Sequence, residues 1–92
     1  MFDPDIERAL QAAVLAHAGQ TRKGSDLPYV THPAHVALIL ARVGASKSAI
    51  QAGLLHDVVE DCEEWTGERV ALEFGAEVAA IVAELTEEKS ES

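Results

Sequence analysis

The stretch His56-Asp57-Val58-Val59-Glu60-Asp61 packs one imidazole and three carboxylates into six residues of an otherwise apolar segment, and its reading decides the fold. At about 100° per residue on a helix, His56 lies one turn before Glu60 and Asp57 one turn before Asp61, so the four groups form two adjacent rows on one side. Around them run Ile50, Leu54, Leu55, Val58 and Val59, residues that face a core. A charge buried among such neighbours is costly unless it has a partner, and a divalent cation supplies one. The plainer alternative is a helix C-terminus that carries its acids into solvent. Glu60 and Asp61 fit that alternative, because Cys62-Glu63-Glu64 follows them; His56 and Asp57 fit it poorly.

Working outward, the chain reads as a series of helices. Asp3 before Pro4 is a helix start, with a capping acceptor and a pre-set backbone angle. The first helix is expected to reach about His17 along the stripe Ile6, Leu10, Val14 and His17, and to end near Gly19. Residues 19–32 contain Gly24, Ser25, Asp26 and Pro28 and read as a loop, which also carries Arg22 and Lys23. Pro33 is expected to open a second helix with Val36, Ile39, Leu40 and Val43, stopped by Gly44. Ser46 or Ser48 caps a third, over about residues 49–60. A fourth, short helix carries Val70, Leu72 and Phe74 and breaks at Gly75. The fifth covers residues 76–85 on the face Val78, Ile81, Val82 and Leu85, and residues 84–92 read as a frayed acidic terminus. There is no repeat, no low-complexity tract and no convincing strand.

Composition narrows the function. Ninety-two residues make one domain, expected to bury only about 60–65% of the surface of its unfolded chain. Trp65, Tyr29, Phe2 and Phe74 are the only aromatics, so the core is built from Ala, Leu, Val and Ile, which favours helices. A net charge of −9 argues against nucleic-acid binding, since it repels a polyphosphate backbone. Cys62 is the single cysteine, which excludes an internal disulfide and points to a reducing, cytoplasmic compartment. No signal peptide and no membrane span is read from the sequence.

Other residues join the His-Asp pair as candidates. His32, just before Pro33, is as suited to a helix cap or the surface as to ligation until it is set beside His56 and Asp57. Two imidazoles and a carboxylate that leave room for water and substrate make a hydrolytic metal centre, of a donor type that suits manganese, iron or zinc better than calcium. His35 reads as a surface position in preference to a support for the ligands, and His17 as a histidine of the core, or one supporting the ligands, that is bonded to a carbonyl. Arg22 and Lys23, two of only seven basic residues, either hold an anionic substrate or are plain solvated loop residues. Nothing in sequence marks Cys62 as a nucleophile.

Three strings in order carry a resemblance over nearly the whole chain: residues 16–24 (AHAGQTRKG), 28–33 (PYVTHP) and 54–61 (LLHDVVED). They resemble the HD-superfamily hydrolase domain of RelA/SpoT-type proteins, nearest to the small stand-alone metazoan-SpoT-homologue type of alarmone hydrolase; Phe74-Gly75 and residues 84–90 are similar to that branch too. The resemblance implies an all-α HD-domain-like helical bundle of about five helices. It also implies manganese-dependent removal of the 3′-diphosphate from guanosine tetra- or pentaphosphate. By the same resemblance His32, His56 and Asp57 hold the metal, Glu60 and Asp61 position or deprotonate the attacking water, and Arg22 and Lys23 meet the guanine and phosphates of the alarmone.

The family pattern continues into further helices bearing a distal metal aspartate, in a Lys-Leu-Ala-Asp-Lys-like stretch that these 92 residues lack, and Cys62 stands where threonine is common. The expectation is therefore a C-terminally truncated domain whose uncovered apolar stripes, on the first, third and fifth helices, drive it into a symmetric homodimer with weak or no turnover. Three rival readings stand beside alarmone hydrolysis. One is a degenerate HD domain that binds metal or guanine nucleotide, another a purely structural domain, and the third an HD-type hydrolase of another small nucleotide.

Overall fold

The hydroxyl of Ser46 accepts the Ala49 N–H at 3.1 Å and starts the helix on which the rest of the molecule is assembled. In the computed structural model, which describes the backbone of residues 3–91 and the side chains of residues 3–86, that helix is α3, Lys47–Asp61. Its positions from Ile50 to Leu55 are all buried, and Asp57 and Val58 with them. A helix buried on so many sides must be wrapped by others. Pro4–Ala16 (α1), Thr31–Arg42 (α2) and Ala76–Glu91 (α5) pack on it, while Gly67–Phe74 (α4) packs on α5. Among the described residues there is no strand, only one isolated bridge between Thr21 and Pro28. None of the described helices is long and apolar enough to cross a membrane.

Leu54, Leu55 and Val58 from α3, Val70 from α4, and Val78 and Val82 from α5 are almost wholly shielded, as are Ala9 and Ala13 from α1. Full burial of one such Leu or Val contributes about 1.5–3 kcal/mol. Gly53 makes room for the side chains of α2 on α3, since a Cβ there would stand 3.0 Å from Leu40 Cδ1 and 3.6 Å from Val36 Cγ1. The short connection over residues 43–46 makes the two helices antiparallel. The turn of α3 after Gly53, which holds His56 and Asp57, therefore comes level with the first turn of α2, which holds His32.

Several boundaries differ from the sequence reading. Helix α2 starts at Thr31 rather than Pro33, because the first turn has no intrahelical use for the N–H that proline lacks; Thr31 Oγ1 instead donates to Pro28 O at 2.8 Å. Helix α3 starts two residues before Ala49. Helix α5 continues to Glu91 instead of fraying after Leu85; the side chains of Glu87, Glu88, Lys89 and Glu91, and all of Ser92 and Phe2, lie outside the described residues. Of the apolar residues that the fourth helix carries, Leu72 is 87% exposed, and Val70 is the one α4 buries. At Gly75 a φ of +100° turns α4 into α5, a conformation that side-chain-bearing residues avoid. The uncovered apolar surface is only partly where it was expected: α1 leaves Leu10, Val14 and Leu15 exposed as expected, but α3 and α5 bury most of their stripes, and α2 instead exposes Leu38, Ile39 and Val43.

Candidate metal and nucleotide site

His56 and Asp57 meet on the outer edge of α3. His56 Nε2 lies 3.2 Å from Asp57 Oδ1, with the two side chains 19% and 4% exposed. On the other side of the ring, Nδ1 is 3.2 Å from Gly53 O. A carbonyl only accepts, so Nδ1 carries a proton and donates to Gly53 O, and Nε2 is the ring nitrogen that faces the carboxylate. Nε2 and a carboxylate oxygen are both atoms that ligate a divalent cation, and here they stand side by side. An imidazole whose far nitrogen donates to a backbone carbonyl is also the usual form of a metal-bound histidine. Glu60, one turn on, brings its carboxylate into the same group: among the described residues, donor atoms of His56, Asp57 and Glu60 all lie within 4.8 Å of one another. The donor set of one imidazole and two carboxylates fits a divalent cation.

His32 does not belong to that triple. It sits half-buried in the first turn of α2 and reaches the site through Tyr29, whose ring it meets edge-on at 6.1 Å between centroids. Tyr29 is the residue that sequence reasoning missed. Its hydroxyl donates to Asp57 Oδ2 at 3.1 Å, leaving Oδ1 toward His56. Burial first, and then the Asp57 carboxylate, push that hydroxyl up to about 12, with the charges of Asp61 and Glu60 adding to the shift. Tyr29 therefore stays a donor across the physiological range. Its place in the Pro28–Pro33 string marks it, but a contact 28 residues away in sequence leaves no local signal.

Asp61 is exposed and close enough to act on Tyr29, though it is not in the triple. Arg22 and Lys23 are exposed in a narrow loop. That loop is closed by Arg22 N–H to Leu27 O at 3.0 Å and Tyr29 N–H to Gln20 O at 2.7 Å. Its root is thus the residue that touches Asp57. His17 is buried as expected, but the carbonyl it bonds is the side-chain amide of Gln20, with Nδ1 3.1 Å from Oε1. His35 is exposed on α2, as a surface histidine would be. Cys62 points its thiol at Ala16 O, 3.6 Å away, a structural contact.

Two concavities lie away from the cluster. One, of about 550 Å³, is lined by Leu15, Cys62, Trp65 and Arg69. The other, of about 390 Å³, is an apolar groove between α1 and α2 lined by Leu10, Leu38 and Leu54. The larger hollow is not where the ionisable chemistry is, and chemistry is the better guide to the site.

The chain is similar over most of its length to several known proteins. The guanosine-3′,5′-bis(diphosphate) 3′-pyrophosphohydrolase of Vibrio cholerae is 45% identical over 85 residues, 89% of this chain and 12% of its own. The enzyme of the same name from Haemophilus influenzae is 49% identical over 67 residues, 73% of this chain and 10% of its own. A GTP pyrophosphokinase of Streptomyces coelicolor is 47% identical over 81 residues, 88% of this chain and 9% of its own. The chain thus spans about a tenth of the length of these curated relatives. Residues 9–91, which contain every candidate site residue, match the family described as HD domain, and the chain belongs to that family.

Proposed function

We propose that this domain serves the metal-dependent removal of the 3′-diphosphate from guanosine tetra- or pentaphosphate, with manganese as the metal. The observation that carries the reading is the confrontation of His56 Nε2 and Asp57 Oδ1 at 3.2 Å, with Nδ1 held by Gly53 O. It is supported by the two relatives whose names specify a 3′-pyrophosphohydrolase. His32, His56 and Asp57 would hold the ion, which when bound supplies Lewis acidity to acidify water and offset phosphate charge. Glu60 and Asp61 orient the attacking water and take its proton. Arg22 and Lys23, on the loop rooted at Tyr29, bind the phosphates or stack on the guanine.

The exposed apolar residues of α1 and α2 support a homodimer. A cytoplasmic setting fits the lone cysteine, and a part in the stringent response would follow from the substrate. The rival reading keeps metal and nucleotide but not turnover. Calorimetry at low salt with guanosine tetraphosphate and Mn²⁺ tests the first: binding is expected to need the metal and to weaken at least tenfold, about 1.4 kcal/mol, in Arg22→Glu. Equal affinity in that variant would return Arg22 and Lys23 to the solvated loop, and pyrophosphate release from the same mixture separates turnover from binding alone.

A further inference from the structure

We propose that His17 and Gln20 are positioning residues for the metal carboxylate, acting through Tyr29; the proposal rests on the reading of His56 and Asp57 as ligands. His17 closes α1 as its C-cap and is 2% exposed. Its Nε2 is buried with no protein partner among the described residues, a cost that a phenylalanine or leucine filling the same space would avoid. What the imidazole gains over an apolar side chain is a fixed ring orientation. Nδ1 donates to Gln20 Oε1 at 3.1 Å, which stops rotation about the ring axis. The face so fixed meets Tyr29 at 4.7 Å between centroids and 53° between planes.

Gln20 is the node of this arrangement. Its side chain holds His17, its N–H donates to His17 O at 3.0 Å, and its carbonyl accepts the Tyr29 N–H at 2.7 Å. The backbone and one face of Tyr29 are therefore both held from the end of α1. At its far end the same tyrosine donates to Asp57 Oδ2, which fixes the rotation of the carboxylate and leaves Oδ1 on His56. The chain of contacts runs from Gln20 to His17 to Tyr29 to Asp57. It joins the root of the Arg22–Lys23 loop to the carboxylate that the proposed metal needs.

The test uses His17→Phe, which keeps the ring and loses the tie, Gln20→Ala, at an exposed position, and Tyr29→Phe. Mn²⁺ affinity is read by electron paramagnetic resonance. Each variant is expected to bind about 10–100-fold more weakly, the usual loss for a residue that orients a ligand. His17→Phe combined with Tyr29→Phe is expected to be no weaker than Tyr29→Phe alone, because both act through one hydroxyl. Wild-type affinity in His17→Phe and Gln20→Ala, or losses that multiply in the double variant, would overturn the proposal. If the unaltered protein binds no Mn²⁺, or His56→Ala binds it equally well, the ligand reading fails instead. A metal-free measurement then decides this inference: Tyr29 is the only tyrosine, so its ¹³Cζ resonance reports the hydroxyl's hydrogen bond alone. Movement of that signal in His17→Phe and Gln20→Ala toward its position in Asp57→Ala supports the positioning role, and an unmoved signal refutes it.

Discussion

Replacing Asp57 by Asn separates the metal from the fold. The Asp57 side chain is 4% exposed, accepts the Tyr29 hydroxyl at 3.1 Å, and faces His56 Nε2 at 3.2 Å. An asparagine keeps both contacts: its carbonyl accepts from Tyr29, and its amide donates to the lone pair on Nε2. Removing a buried charge favours the variant, while exchanging charge-assisted bonds for neutral ones disfavours it, each by about 1–2 kcal/mol, so the two nearly cancel. With metal the balance changes. An ion present at a hundred times its dissociation constant stabilises the folded state by about 2.7 kcal/mol. For a domain of this size, where 1 kcal/mol moves Tm by about 4–8 °C, that is a rise of about 10–20 °C. Calorimetric melting with and without Mn²⁺ is expected to show that rise in the unaltered protein, almost none in Asp57→Asn, and metal-free melting points within a few degrees of each other. An equal metal-induced rise in both proteins would refute the reasoning, as would an Asp57→Asn protein that does not fold.

Glu60→Gln keeps shape and removes a carboxylate, and in a form that turns over it is expected to cost about 10²–10⁴ in rate, with metal content little changed. Since Glu60 lies within 4.8 Å of the ligand pair, metal lost in parallel would make it a ligand instead. Leu38→Glu, at a residue 70% exposed beside the α1–α2 groove, is expected to convert a dimer into a monomer in sedimentation; a monomeric unaltered protein would remove the basis of that expectation. The Lys47 ammonium, 2.9 Å from Asp5, holds that carboxyl below its usual value of 3.8, while Asp5 in turn raises Lys47. A depressed carboxyl stabilises the fold above its ordinary value and stops doing so as pH falls through the depressed one; a raised amine does so below its ordinary value and stops as pH rises through the raised one. The stability lost in Lys47→Met is thus expected to be largest near neutral pH and to vanish at both acidic and strongly alkaline pH. A difference that persists unchanged at pH 2 would contradict it.

The helices were legible where local chemistry marks them. Asp3 accepts the Asp5 and Ile6 N–H groups, Ser46 caps α3, and Gly75 takes a positive φ, each as the sequence suggests. The start of α2 was not, because Val30 offers no side-chain cap and Pro33 draws attention to the wrong residue. The exposure of Leu72 and Ile39 depends on which helices become neighbours, which a stripe of apolar residues does not state. In the site, the His56–Asp57 pair follows from helical spacing and apolar surroundings. Tyr29 does not, since only the folding of the residue 19–30 loop against α3 brings its hydroxyl to Asp57. The expected convergence of His32 is likewise a matter of how α2 meets α3, and it reaches the pair by way of the same tyrosine.

Anomalous diffraction at the manganese edge from crystals grown with Mn²⁺ tests the central claim most directly. The account predicts one strong peak within bonding distance of His56 Nε2, an Asp57 oxygen and a His32 nitrogen, with His56 Nδ1 still on Gly53 O. A peak elsewhere on the molecule, or none at this cluster with the metal in excess, would contradict it.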